Sequence, residues 1–443
     1  MRIEDQIDKA ASLVEEAKRY GADAADAVVV CSRSVCVSVR FGKVESTESS
    51  ESDHFTLRAF VGKKVASVSA NLAICPQELA ERTVAMAKAS PDSVFEGLAD
   101  KDFLVKHPKN LDLFDSFVPQ SDSLRDDALK MEAAALGVAG VNNSGGAAAA
   151  YGHKGLALVT SNGFLSAYRS SNFSRSCSVL AGEGTMMERD YDYTTALHFS
   201  DLEAAEIVGR NAGMRAVQRL GAVRASTGRV DVIFSSRIAR GIAGHIASMV
   251  NGASVARKTS LLQNLKGERV MKSGVNVTDQ PLRLRGNASR PFDGEGVEGQ
   301  ALNVIEDGVL NNWLLSLSSA RELGLETNGH GVRSGSFIQP ASTNFAIEPG
   351  SITPQDMIKS LQKGFYVTEL FGHGVDFVTG QYSRGAAGFW IENGEITYPV
   401  SEVTLGSDLL YMLAHLTPAN DIDRRYSTTS PTLLIEGMTL AGQ

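Results

Sequence analysis

None of the eight histidines is followed by glutamate: the residues after His54, His107, His153, His198, His245, His330, His373 and His415 are Phe55, Pro108, Lys154, Phe199, Ile246, Gly331, Gly374 and Leu416. A zinc peptidase of the gluzincin or metzincin type holds its metal with two imidazoles and sets a carboxylate beside one of them to deprotonate bound water. The missing His-Glu pair therefore excludes a self-sufficient site of that kind. Cysteine is scarce as well. Cys31, Cys36, Cys75 and Cys177 have no CxxC spacing, which predicts buried free thiols rather than a metal cluster or a disulfide framework. A Gly-x-Ser-x-Gly nucleophile elbow and a phosphate-cradling Walker loop are also missing, which removes the simplest acyl-transfer and ATPase readings.

Basic charge is in short supply: 43 Lys and Arg stand against 51 Asp and Glu, a formal net charge of -8. With no Lys/Arg run interleaved with aromatics, nucleic acid is not an expected partner. No apolar run approaches the length of a membrane span, and residues 1–20 are charged and amphipathic rather than signal-like, so the expected location is cytoplasmic, with no membrane partner.

What is present is an ordinary globular composition, 43% hydrophobic and 21% charged over 443 residues, long for one core and suited to two domains. Ile3, Ile7, Ala10, Val14 and Ala17 fall at helical spacing, with Gly21 placed to end the helix. The period then changes to strand-like alternation at Val35, Val37, Val39 and Phe41. Gly42-Lys43 turns the chain, and Phe55, Leu57, Ala59 and Val61 alternate again. Pro76 opens a second helix to about Lys88. Residues 91–120 lack a sustained period and form a connection, after which Ser121 is placed to cap a helix. A further meander follows over 152–200, broken at Ser161-Asn-Gly163 and Gly182-Glu-Gly184, and a helix over 201–220.

The expected architecture is α+β. Residues 1–225 form an N-terminal domain of antiparallel sheet with helices, in sub-parts of about 1–90 and 121–225. Residues 226–443, with a strand at 229–234, a helix at 237–250 and closely spaced turns, form a β-rich, barrel-like domain with a few helices.

Several strings resemble chemistry. His373 with Asp376, His330, and His245 alone on an apolar helix are the remaining metal candidates, each also readable as a structural histidine. Gly294-Glu-Gly-Val-Glu-Gly299 matches a dinucleotide fingerprint as text. It follows no strand, however, and would place Glu295 and Glu298 against a pyrophosphate, so a flexible loop is expected. Ser360-Leu-Gln-Lys363 matches Ser-x-x-Lys without partner motifs and is expected in a surface helix.

The run from Gly374 to Val400, with Gly380-Gln-Tyr-Ser-Arg-Gly-Ala-Ala-Gly388 at its centre, resembles the signature of the TldD/TldE metallopeptidase family, also called PmbA or modulator of DNA gyrase. Phe292-Asp-Gly-Glu-Gly-Val297, Thr343-Asn-Phe345, Ile358 to Tyr366 and Pro431 to Gly442 match as well. The resemblance spans essentially the full length and is strongest to the TldE subunit. In that family TldD binds zinc through a His-Glu-x-x-x-His helix and a later cysteine and pairs with TldE to cleave peptides, whereas TldE lacks the metal site.

The matching helix here contains His245-Ile-Ala-Ser-Met-Val250, which puts Ile246 at the glutamate and Val250 at the second histidine. The late cysteine's region holds Tyr426-Ser-Thr-Thr-Ser430. The resemblance thus implies a non-catalytic subunit with no cofactor of its own and zinc in a TldD-type partner. The implied assemblies are a heterodimer with that paralogue, or a homodimer when alone, acting on unfolded or extended peptide. Glu295, Arg333 and Asn344, polar residues in family-like glycine-rich loops, are candidate cleft positions. Two rivals stay open: a peptidase active alone through His245, His330 or His373, and a non-proteolytic protein-binding modulator.

Overall fold

The computed structural model describes residues 3–334 and 337–443. The N-terminal half runs α1 (Ile3–Arg19), β1 (Ala24–Arg40), β2 (Lys43–Val61), β3 (Lys64–Asn71), α2 (Pro76–Ala89), α3 (Ser121–Leu136), β4 (Val141–Thr160), β5 (Leu165–Ala181), β6 (Glu188–Ala196) and α4 (Ala205–Gln218). Its strands make one antiparallel sheet in the order β3-β2-β1-β4-β5-β6. Because side chains alternate across a strand, the odd-numbered residues of β1 and β4 share one face. Val29, Cys31 and Val159 on that face pack under α1 and α2. Val37, Val39, Ala147, Ala149 and Tyr151 pack under α3 and α4. All four helices therefore cover one side. The other side presents Val28, Val30, Leu156 and Leu158 to the C-terminal half.

Helices α3 and α4 approach until their backbones nearly touch. A Cβ added at Gly209 would lie 2.0 Å from the Met131 carbonyl oxygen, and one at Gly213 would lie 2.9 Å from that of Ala135. The glycine pair, four residues apart, is what permits this spacing.

The C-terminal half continues with β7 (Gly228–Phe234), α5 (Ser236–Met249), α6 (Gly252–Ala256), β8 (Val277–Asp279), β9 (Leu302–Glu306), β10 (Val309–Leu310) and α7 (Leu317–Leu323). Then come β11 (Gly331–Ser334), β12 (Phe337–Pro340), β13 (Phe345–Ile347), α8 (Pro354–Lys359), β14 (Lys363–Val375), β15 (Gln381–Glu392), β16 (Glu395–Asp408), α9 (Leu409–Ala414), β17 (Leu416–Pro418), β18 (Thr428–Thr429) and β19 (Leu433–Ala441). The order β16-β15-β14-β7-β19 closes on itself, because β16 also pairs with β19, and β17 adds to the outside of β19. A closed five-stranded barrel results, which leaves none of those five strands a full free edge. A second sheet, β10-β9-β8-β13-β18, stands beside it. The apolar stripe of α5, Ala239, Ile242, Ala243, Ile246 and Met249, is buried in the core that barrel and second sheet share.

The α+β class and the barrel-like C-terminal half are as expected, with local differences. The first turn is Phe41-Gly42, both residues left-handed, rather than Gly42-Lys43. Ser121 begins α3 instead of capping it; Gln120 is the N-cap, and its side chain accepts no capping bond. Ser360-Leu-Gln-Lys363 lies past the end of α8 and runs into β14, not in a helix. All four cysteines are free, but only Cys31 and Cys177 are buried, while Cys75 is exposed. Residues 91–120 are irregular as expected, yet they are laced between the halves. Val105 N–H donates to the Gly296 carbonyl, the Arg321 guanidinium to those of Phe95 and Leu98, and Ser171 N–H to that of Leu113.

Candidate functional site: a cavity between sheet and barrel domain

The helix-free face of the N-terminal sheet and the loops ahead of β11 enclose a cavity of about 440 Å³. Its lining includes Val28, Val30, Lys154, Leu156, Tyr168, Asn287, Arg290, Phe292 and Arg333. Its size and mixed wall, about equally apolar and polar, are those of a small-ligand or peptide subsite.

Two buried acids shape the loop wall. The Asp293 carboxylate accepts the N–H groups of Glu295 (2.8 Å), Val297 (3.0 Å) and Gly331 (2.9 Å). Glu295 accepts the Leu317 N–H at 2.8 Å. Both carboxyls converge on Gly331, where an added Cβ would sit 2.6 Å from Glu295 Oε2 and 3.0 Å from Asp293 Oδ2. Burial, with the neighbouring Asp293 adding to it, pushes Glu295 up to about 8, so it is mostly neutral at pH 7. Burial also raises Asp293.

Arg333 ties the halves together. Its Nε donates to the Gly294 carbonyl at 2.9 Å, and its Nη2 lies 2.7 Å from Asp26 Oδ1 on β1. Arg58 on β2 donates to the other oxygen of the same carboxylate at 2.6 and 3.0 Å. Burial alone would raise Asp26, but the Arg333 and Arg58 guanidiniums hold it below its ordinary value. Asn344 fixes the 286–289 segment: its Oδ1 accepts the Ala288 N–H, and its Nδ2 donates to the Gln280 carbonyl and to Ser289 Oγ. Of the three residues expected at a cleft, Arg333 therefore lines the cavity, while Glu295 and Asn344 are buried in the loops behind its wall.

Leu197 and Asn287 line both this cavity and an adjoining groove of about 590 Å³ bounded by Tyr193, Arg237, Arg240, Tyr426 and Thr428. The two spaces thus adjoin in a trough along the domain junction, and the groove ends on the first turns of α5. Arg240 is held between two tyrosines, 3.1 Å from the Tyr193 hydroxyl and 3.9 Å above the Tyr426 ring.

The edge strand β6 beside this groove is already occupied. Its carbonyls at Arg189, Tyr191 and Tyr193 accept from Arg219, from Arg215 and Arg237, and from the Tyr426 hydroxyl. By contrast β18, which also borders the groove, pairs on one side only, with β13.

The histidine candidates lie in separate surroundings. His330 is fully buried, 3.2 Å from Asp279 and 3.0 Å from the Asn328 carbonyl. His373 is exposed on β14, and nearby Asp376 accepts the Val378 and Thr379 N–H groups of its own turn. His245 Nδ1 is buried without a hydrogen-bond partner, and its ring faces Phe377 and Tyr382. Burial, helped by the Arg384 charge, lowers it to about 4. Ile246 and Val250 are 0% exposed in the apolar core. Among the described residues no three His, Cys, Asp or Glu side chains group as a metal-ligand set. The Gly294 to Gly299 string forms a turn held by Asp293 and opens no helix.

Sequence reasoning missed Lys154, Arg290, Arg240, Tyr193 and Tyr426. They converge from five distant segments, and the one local signal was the pair of arginines, Arg237 and Arg240, three apart on α5.

A sheet layered with helices on one side and joined across a trough to a closed barrel defines the chain's class. It is a multi-part α+β scaffold with cavities at its junction. The chain belongs to the PmbA/TldD metallopeptidase family: the domain 1, central and C-terminal domain models of that family match residues 25–87, 115–220 and 227–442. It is 35% identical to the metalloprotease PmbA of Escherichia coli, covering 100% of this chain and 99% of that one. It is also 35% identical to a PmbA homolog of Haemophilus influenzae, covering 99% and 97%. In fold it resembles a modulator of DNA gyrase from Bacteroides thetaiotaomicron, with a TM-score of 0.91 at 24% identity and 98% of each chain covered. It also resembles TldE from Thermococcus kodakarensis, with a TM-score of 0.86 at 19% identity and 98% and 100% covered. No helix among the described residues is long and apolar enough to cross a membrane.

Proposed function

We propose that this chain is the TldE-like subunit of a TldD/TldE-type metallopeptidase complex in the cytoplasm. In this reading it shapes the trough that holds an unfolded or extended peptide, while a TldD-type paralogue supplies zinc. The observation carrying the proposal is the fate of the metal helix. At the family register α5 presents His245, Ile246 and Val250, and the last two are fully buried among apolar side chains. A carboxylate or imidazole there would have to be desolvated without a partner, so these residues do not fit a zinc ion and no hydrolytic step is assigned to them.

The adjoining of cavity and groove and the one-sided pairing of β18 favour an extended chain lying along them, with main-chain hydrogen bonds to Thr428 as the recognition mode. Co-expression with the paralogue bearing His-Glu-x-x-x-His, followed by size exclusion and a casein-type assay, tests this. A heteromer with peptidase activity absent from this chain alone is expected. Stoichiometric zinc in the isolated chain, or failure to form the heteromer, overturns it. A homodimer alone is compatible with the proposal.

A further inference from the structure

The trough contains a feature that peptide binding in general does not require. Lys154 and Arg290 line the same cavity. Burial, and then the Arg290 charge, pull Lys154 below its ordinary value. The Lys154 ammonium, although open to solvent, makes no hydrogen bond or ion pair within the described residues. Arg290 spends one guanidinium N–H on the Ala341 carbonyl at 3.1 Å, while its Nε is buried with no partner at all. Asp293, the one carboxylate on this wall, is engaged by three backbone N–H groups and pairs with neither cation. In a chain with a net charge of -8, two cations that line one cavity with no ion pair to either among the described residues offer a ready site for an anionic ligand group.

We infer that this cavity binds the C-terminal carboxylate of the extended peptide. This inference rests on the peptide-holding role proposed above and names the end of the chain that is held. A free carboxylate can accept from Lys154 Nζ beside the positive Arg290 guanidinium, a charge-assisted bond of the stronger kind. The terminal side chain meets Val28, Val30, Leu156, Leu158 and Phe292 on the same wall. The preceding residues leave past Asn287 and Leu197 into the groove toward Arg240 and α5. The apolar wall favours a chain end, in which a side chain sits beside the carboxylate, over a bare inorganic anion.

The test is fluorescence anisotropy on the full chain with a short N-terminally labelled peptide ending in leucine, as free acid and as carboxamide. The free acid is expected to bind about tenfold tighter or more, the value of a charged hydrogen-bond pair. Lys154→Met should abolish that preference without disturbing the fold, since its ammonium bonds to nothing in it, and Lys154→Arg should retain it. Equal binding of acid and amide, binding of neither, or displacement by inorganic phosphate as effective as by unlabelled peptide acid overturns the inference. If the heteromer forms and cleaves casein while acid and amide bind alike, only this assignment fails. If no heteromer forms but the acid preference is present, only the subunit role fails.

Discussion

The Asp26 carboxylate is the point where the two halves share one anion, and Asp26→Asn isolates what that sharing is worth. Asp26 and Arg58 are 1% and 3% exposed, and the Arg333 side chain is 14% exposed. The substitution keeps the shape but removes the charge that two guanidiniums face, and turns an amide N–H₂ toward one of them. Breaking a buried ion pair from one side costs ~3–5 kcal/mol, because the orphaned cation stays desolvated. Here Arg58 keeps Glu96 at 3.3 Å and Arg333 keeps the Gly294 carbonyl, so the loss belongs near ~3 kcal/mol. Urea unfolding followed by far-UV circular dichroism and by tryptophan fluorescence measures it. Both tryptophans, Trp313 and Trp390, lie in the C-terminal half, so a concerted drop in both signals shows that the linkage crosses the junction. Adding Arg333→Met to Asp26→Asn should recover about 1 kcal/mol or more by removing one stranded cation. A loss in the single variant below ~1 kcal/mol, or no recovery in the double, refutes the argument.

Gly209→Ala places a methyl 2.0 Å from the Met131 carbonyl oxygen. It should cost about 1–3 kcal/mol by forcing α3 and α4 apart, with an unchanged melting temperature as the contrary result. Glu295 is raised from 4.5 to about 8 in the fold. Its contribution is thus fully present below pH 4.5 and is lost as pH rises through 8, so Glu295→Gln, always neutral, should flatten the alkaline limb of the stability profile. A variant no more stable than the parent at pH 9 would contradict the shift. Ile246→Glu, restoring the family carboxylate, should destabilise by at least ~3 kcal/mol, because Ile246 is fully buried among apolar groups. Thermal melts showing a tolerated glutamate would mean that α5 can turn this face to solvent, reopening the metal question.

The long helices were legible because each buries one face only. The start of β1 was not. Ala27, Val28 and Val29 are all buried, since this stretch has helices on one side and the C-terminal half on the other, and burial on both faces erases a period of two. Barrel closure was legible as turn density but not as topology, because the β16–β19 pairing joins segments with no local signal between them. The trough is the extreme case. Its lining comes from β1, β4, β5, β6, α5 and the loops before β11 and β18, so spacing along the chain carries none of its geometry. What the sequence did show, the empty family register at His245, Ile246 and Val250, was visible because it lies within one helix and its C-cap.

Closure of the barrel also sets an order of events during synthesis. Strand β7, at Gly228–Phe234, finds its antiparallel neighbour only in β19, at Leu433–Ala441, and β19 also seals the seam to β16. Residues 433–441 must therefore emerge from the ribosome before this half can complete its hydrogen-bond ring. The N-terminal sheet, whose six strands all precede residue 197, can assemble while translation continues. Until then β7 waits with an unsatisfied edge, a window in which a nascent chain of this family would be most open to chaperone capture or to mispairing with another copy.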